Sequence, residues 1–359
     1  FIVATLLQKI RNEKINTLTI SFPDYDESSK FFNEGPFASR IAKHLGTNHN
    51  DIPITSKEAL EIIPKMSEIY SEPFSDSSQI ATYLLCKATK ESSYKVALTG
   101  DGADELFGGY NRHIFLPKIY KLFGKAPQKL NKIIALLIEK IPLSEKGLAK
   151  DKRQKLSNII SNSKNIESSY EGLLNLWFDK KNHVLKKEFY SDLKKDITLP
   201  MASTISERIM LKDLIDYLPS DILVKTDRAS MANSIETRCP FLDHEIAEFS
   251  RLIPLSLKSN SKNFSRSGKV ILKNILGKYI PEELFLRPKS GFSVPIGQWL
   301  KSSLKDWANE LLSENKIKKQ GYLDYKIIKK LWESHLSNKY DYTPQLWCIL
   351  MWQSWLENN

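Results

Sequence analysis

The segment LTGDGADELFGGY, residues 98–110, limits the fold more than any other part of the chain. It continues the short apolar run of residues 94–99, so a strand breaks abruptly into four glycines and three carboxylates. Glycines let backbone amides approach a ligand closely, and carboxylates beside them can hold a magnesium ion that bridges phosphate oxygens. Such a turn at the end of a strand suits a parallel α/β sheet, in which ligands collect outside the carboxyl ends of the strands. On chemistry alone the segment reads as a site for a nucleotide polyphosphate. A tight acidic turn stays open as an alternative, whereas the spacing does not fit an EF-hand calcium loop.

The flanking sequence supports an α/β domain. Residues 1–10 form an apolar helical stripe, and residues 15–22 form a β-branched and aromatic run closed by Pro23. Residues 37–45 have helical spacing and stop at Gly46, residues 48–52 read as a short strand, one helix begins near Ser56, and another spans residues 79–91. Strands alternating with helices predict an open, mostly parallel sheet over residues 1–113. From residue 114 to 359 the pattern is helical without a convincing strand run, lysine-rich over residues 116–195 and punctuated by Pro117, Pro127 and Pro142. Near the end, Trp347, Met351 and Trp355 follow one another at four-residue steps, a buried helix face rather than a cofactor box.

At 359 residues and 41% hydrophobic content the chain can fill a substantial core without covalent staples. Its three cysteines, Cys86, Cys239 and Cys348, are far apart and form no CxxC or Cys/His cluster, which fits a reducing cytoplasm. No charge-free apolar stretch reaches the length of a membrane span, so the reading is a soluble protein without a membrane partner. The net charge of +11 invites a nucleic-acid partner, but basic residues interleave with acidic ones along most of the chain, and a solvated surface explains them better. Residues 1–10 carry neither an initiator Met nor a signal pattern, and the first glycine is Gly35. The expectation is that a segment once preceded Phe1.

Three blocks make the chain resemble the asparagine synthetase family. Residues 98–110 match its SGxGxDExFGGY signature; YLPSDILVKTDRASMA (217–232) running into SIETRCPFLD (234–243), and LRPKSGFSVPIGQWL (286–300), are the other two. Smaller matches, AKHLGTNH (42–49), EPFSDSSQ (72–79) and the tryptophan-rich end, extend the likeness over nearly the whole chain in family order. The resemblance implies an adenine-nucleotide-hydrolase-like (ATP pyrophosphatase) α/β core followed by a large all-helical region. It implies an enzyme that uses ATP and Mg2+ to activate a carboxylate, aspartate above all, as an acyl-adenylate. Ammonia from an N-terminal glutaminase domain then displaces AMP, and a homodimer is admitted. Sugar acids are the alternative acceptors within the family.

Carried over residue by residue, the resemblance gives Asp104 as the magnesium aspartate, Thr99 and Gly100 as ATP contacts with Gly102 in the same loop, and Ile20 as a backbone contact to adenine. Asp101 takes the place of a carboxylate linked to acyl-adenylate formation, and Lys289 that of the lysine that steadies the pentacovalent phosphorus. Asp227, Arg228, Glu236 and Arg238 are expected as an ion-paired scaffold around the site. Two departures stand out: the family's SGGxDS loop is absent together with its second magnesium aspartate, and Thr99 replaces a serine. His44 and His49 fit neither a helical metal pair nor a catalytic relay, so a structural or exposed role is expected. A reading of a different class, a non-catalytic basic helical protein binding nucleic acid, rests on charge alone.

Overall fold

A computed structural model describes residues 1–22, 34–141, 147–177, 183–189, 198–259, 267–286 and 294–359, with side chains of 147–152 left aside. The chain divides into two compact units. The first comprises Phe1–Ser71, Asp76–Ile114 and Met210–Pro295, so the unit that holds the strands draws on residues 210–295 as well as on the beginning of the chain.

Within this first unit, β1 (Asn16–Ser21) pairs in parallel with β2 (Asn48–Pro53), Ile20 facing Ile52 in register. The pair is set up by β-branched residues on β1 and by two helices. Helix α1 (Ile2–Ile10) precedes it, and α2 (Gly35–Leu45) crosses from β1 to β2 and ends at Gly46, whose φ of 73° only glycine adopts readily. Helix α3 (Gln79–Glu91) then leads to β3 (Val96–Leu98), which pairs in parallel with β4 (Glu236–Arg238). Among the described residues, ladder bonds thus form two separate two-stranded parallel sheets rather than one open sheet. β4 corrects the expectation of an all-helical region after residue 114. A three-residue strand has no periodicity to read and exists through its partner, β3.

Two apolar clusters anchor the first unit. Leu106 and Phe107 pack with Phe241 and Ile253, and Ile41 packs with Leu276, Ile280 and Phe285. Burial of such side chains contributes roughly 1.5–3 kcal/mol each. A long helical stretch runs from Asp213 to Met231. Its first part, Asp213–Ile222, is π-wound and contains Pro219, and its second, Leu223–Met231, is α-helical. Pro219 lacks an N–H, which is one reason regular α winding fails there.

The second unit comprises Glu72–Ser75, Phe115–Ile209 and Ile296–Asn359. Its main cluster is Leu116, Ile119, Ile159, Ile160, Tyr170, Leu199 and Ile209. The closing helix Thr343–Asn358 buries Trp347 and Met351, while Trp355 is half-buried and stacks on Trp352. Gln345, on the same helix, donates to the Leu176 carbonyl. Among the described residues, no helix is long and apolar enough to cross a membrane.

Candidate active site

β3 delivers the chain into the turn that the sequence singles out. The ladder is carried one residue further by Thr99, whose N–H donates to the Arg238 carbonyl. Gly102 then takes φ 87°, and a Cβ there would collide with Leu242, so both backbone and space demand glycine. Helix α4 (Ala103–Phe107) follows, closed by Gly108 at φ 66°. Next to Gly100 the space is open, which leaves its backbone accessible to a ligand.

Both hydroxyl groups near Asp101 converge on its Oδ2: Thr99 donates at 2.9 Å and Thr226 at 3.3 Å. The Thr99 Oγ1 also lies 3.2 Å from the Cys239 Sγ, whose thiol is pushed up by burial. Three residues on, Asp104 pairs with the Lys269 ammonium at 3.0 Å, both partly exposed. Gly109 packs against the Asp104 carboxylate so closely that any side chain would displace it. Lys269 is a residue that sequence reasoning missed. It sits at φ 54°, a left-handed conformation costly for lysine, and its N–H donates to the Phe107 carbonyl. The preceding Gly268, pressed against the Gly108 and Gly109 backbone, was the available signal.

Behind the turn lies a buried charged network that the sequence did not announce. Asp213 accepts from Arg112 Nε at 2.7 Å and contacts His113 Nε2 at 2.6 Å, and neither Asp213 nor His113 reaches solvent. Burial alone would raise the Asp213 carboxyl, but bonds from His113 and Arg112 hold it below the usual range. Burial lowers the His113 pKa despite this partner, and Nε2, facing a carboxylate that can only accept, is the donor. The Arg112 guanidinium lies over the rings of Tyr110 (4.0 Å) and Tyr217 (4.6 Å). Tyr110 donates to buried Glu105 at 2.7 Å, and burial raises that carboxyl.

A second cluster joins Asp76, Asp221, Tyr217 and Lys225. Lys225 pairs with Asp76 at 3.0 Å. Burial alone would raise Asp76, but Lys225 and Ser78 together hold it below its ordinary value. Burial and the neighbouring Asp76 charge push Asp221 up to about 6.

The other expected residues fall in different places. Ile20 is 2% exposed in β1, whose ladder, among the described residues, runs to β2 and not to the sheet of the turn. Lys289 lies outside the described residues. Asp227 and Arg228 are exposed. Glu236 and Arg238 do form an ion pair, but on a strand rather than in a helical block, and their side chains are 55% and 62% exposed. Alternate strand residues share a face, which here is turned to solvent. His49 hydrogen-bonds Thr17 and His44 the Tyr279 carbonyl.

A strand-to-glycine turn carrying Asp101 and Asp104 is the element that comparison with known proteins can decide. The asparagine synthase family model matches residues 2–357. The chain belongs to the asparagine synthase family. It is 29% identical over 90% of its length to asparagine synthetase [glutamine-hydrolyzing] 1 of Bacillus subtilis, covering 50% of that protein. It is 26% identical over 96% of its length to a putative asparagine synthetase of Mycobacterium tuberculosis (strain ATCC 25618 / H37Rv), covering 51%. Amidase chry2 of Gibberella zeae is 24% identical over 84% of the chain, which covers 47% of it. The chain thus spans about half the length of these curated relatives.

The donor set fits magnesium as well as nucleotide. Among the described residues no three His, Cys, Asp or Glu side chains gather as a metal cage. Magnesium needs none, since it is held by one or two carboxylates with phosphate oxygens and water completing the shell. Asp104, partly exposed and with Oδ2 on the Lys269 amine, would be the carboxylate to hold it.

Proposed function

We propose that the protein uses ATP to convert a carboxylate into an acyl-adenylate with loss of pyrophosphate, and that ammonia then displaces AMP to form an amide, aspartate giving asparagine. The observation that carries the reading is the amine of Lys269 set on Asp104 within the turn that also presents Asp101 and an open Gly100. Negative charge accumulates on pyrophosphate as its bond to the α-phosphorus breaks, and a cation already in place stabilises it without reorganisation. Lys269 supplies that charge at the turn, and Lys289 is assigned as the second amine, acting on the pentacovalent phosphorus. Magnesium at Asp104 would neutralise phosphate charge and polarise the phosphoryl group. Thr99 and Thr226 hold Asp101 by Oδ2, which leaves Oδ1 to orient the acceptor during adenylation. The amides of Gly100 and Gly102 are assigned to phosphate oxygens and the Ile20 backbone to adenine. On this reading the two parallel pairs are parts of one sheet of adenine-nucleotide-hydrolase-like topology. A glutaminase domain of the whole protein supplies ammonia.

ATP/pyrophosphate exchange measured over a panel of aspartate, sugar acids and amino-acid analogues tests this directly. Exchange with aspartate supports the full reading, and exchange with a uronic acid alone moves the acceptor but keeps the chemistry. No exchange with any acid, combined with steeply salt-dependent nucleic-acid binding, overturns it.

A further inference from the structure

The two ends of the acidic turn are fastened to the same helical stretch, 213–231. At the near end, the Thr226 hydroxyl lies 3.3 Å from Asp101 Oδ2 and 3.0 Å from the Ile222 carbonyl, its one proton shared between them. At the far end, Asp213 grips Arg112 and His113, Arg112 lies against the rings of Tyr110 and Tyr217, which meet edge to face, and Tyr110 donates back to Glu105. The anchor points Asp213 and Thr226 are separated by roughly 15–20 Å of helix. Along the chain, Asp104 lies between Asp101 and Tyr110, the residues at these two ends. Its rotamer is fixed by the bare Cα of Gly109, whose N–H donates to the Asp104 carbonyl at 2.8 Å, and Gly109 is joined directly to Tyr110.

We propose that Asp213 and Arg112 are positioning residues for the ATP turn, setting the placement of Asp104 from outside the turn through Tyr110 and Gly109. The inference rests on the adenylation reading given above. A buried ion pair is a poor source of stability, because desolvation offsets its Coulomb gain, but it is intolerant of misplacement. Fixing the acid that meets the metal is a use that matches this property, and residues that orient a metal-binding carboxylate set metal affinity even without touching the ion. The helical stretch therefore meets both ends of the turn, with Thr226 and Asp213 as its two attachments.

The test is the magnesium dependence of ATP/pyrophosphate exchange in the whole protein, with Asp213→Asn and Arg112→Lys beside wild type. Asp213→Asn should raise the half-saturating magnesium concentration about tenfold or more, while the maximal rate at saturating magnesium falls less. Arg112→Lys keeps the charge but loses the planar fork, and should shift it in the same direction by a smaller factor. Tyr110→Phe, which removes one hydroxyl and no ring, should give a shift of a few fold. A lowered melting temperature with an unchanged magnesium curve in any folded variant reduces the network to structure alone and overturns the proposal. If Asp213→Asn does not fold, Arg112→Lys and Tyr110→Phe decide the matter. Should wild type exchange with no acid, the adenylation reading fails on its own. Magnesium-dependent binding of a fluorescent ATP analogue to wild type and variants then still reports on positioning, and equal binding by all of them overturns it.

Discussion

The interiors of the two units are built differently. In the second, Leu116, Ile119, Ile159, Ile160 and Ile209 pack in an apolar cluster, and buried polar groups such as Asn131 and Ser157 are neutral and hydrogen-bonded. In the first, Glu105, Asp213 and Lys258 are buried among apolar side chains such as Ile63, Met66 and Ile80. Apolar packing is strong and non-directional, whereas buried charge contributes little net stability but is demanding of geometry. The difference separates material that holds the chain together from material that holds a turn in place.

The sharpest break in that comparison comes at Asp104. Asp104→Asn should lower adenylation by about 10²–10³-fold and change its magnesium requirement while leaving the melting temperature close to wild type. An unaltered requirement in pyrophosphate release assays contradicts the assigned role. The reverse pattern is expected in the second unit. Ile209→Ala opens a cavity in a fully buried site and should cost about 3 kcal/mol in denaturant unfolding, with the Michaelis constant for ATP unchanged.

Asp221 sharpens the comparison on the pH axis. Its folded pKa of about 6 lies above the ordinary aspartate value, so the folded state holds the proton more tightly than the unfolded one. Stability contributed by the protonated form is present at low pH and lost as pH rises from about 4 through 6. Asp221→Asn removes that loss. It should stabilise the protein at pH 8 relative to pH 5 by on the order of 1–2 kcal/mol, read as the difference between melting curves at the two pH values. A larger gain at pH 5 would contradict the assignment. At the small end, Arg238→Ala breaks an exposed pair on β4 and should leave the melting temperature unchanged within error.

What the sequence disclosed follows the range over which each feature is defined. The strand over residues 15–22 and the helix over 79–91 appear as Asn16–Ser21 and Gln79–Glu91, because each is set by its own composition and periodicity. The turn residues 99–104 are neighbours in the chain, so their juxtaposition was legible before any coordinates. β4 was not, because Glu-Thr-Arg has no strand character apart from its register against Val96 and Leu98. Nor was the contact of Lys269 with Asp104, 165 residues apart, or of His113 with Asp213, 100 apart. Such pairs are fixed by tertiary placement, and in the case of Lys269 by a backbone conformation that its residue type disfavours.

The wide winding of Asp213–Ile222 has an outcome for insertions and deletions. Each residue of an α-helix advances the direction of the next side chain by about 100°. Excising one residue from this segment would restore tighter winding and swing Lys225 and Thr226 away through about that angle, with no change in any side chain that touches the turn. Two homologues could therefore share every residue of the turn and still differ in whether Asp101 has a second hydroxyl, according to the length of the piece between Asp213 and Leu223.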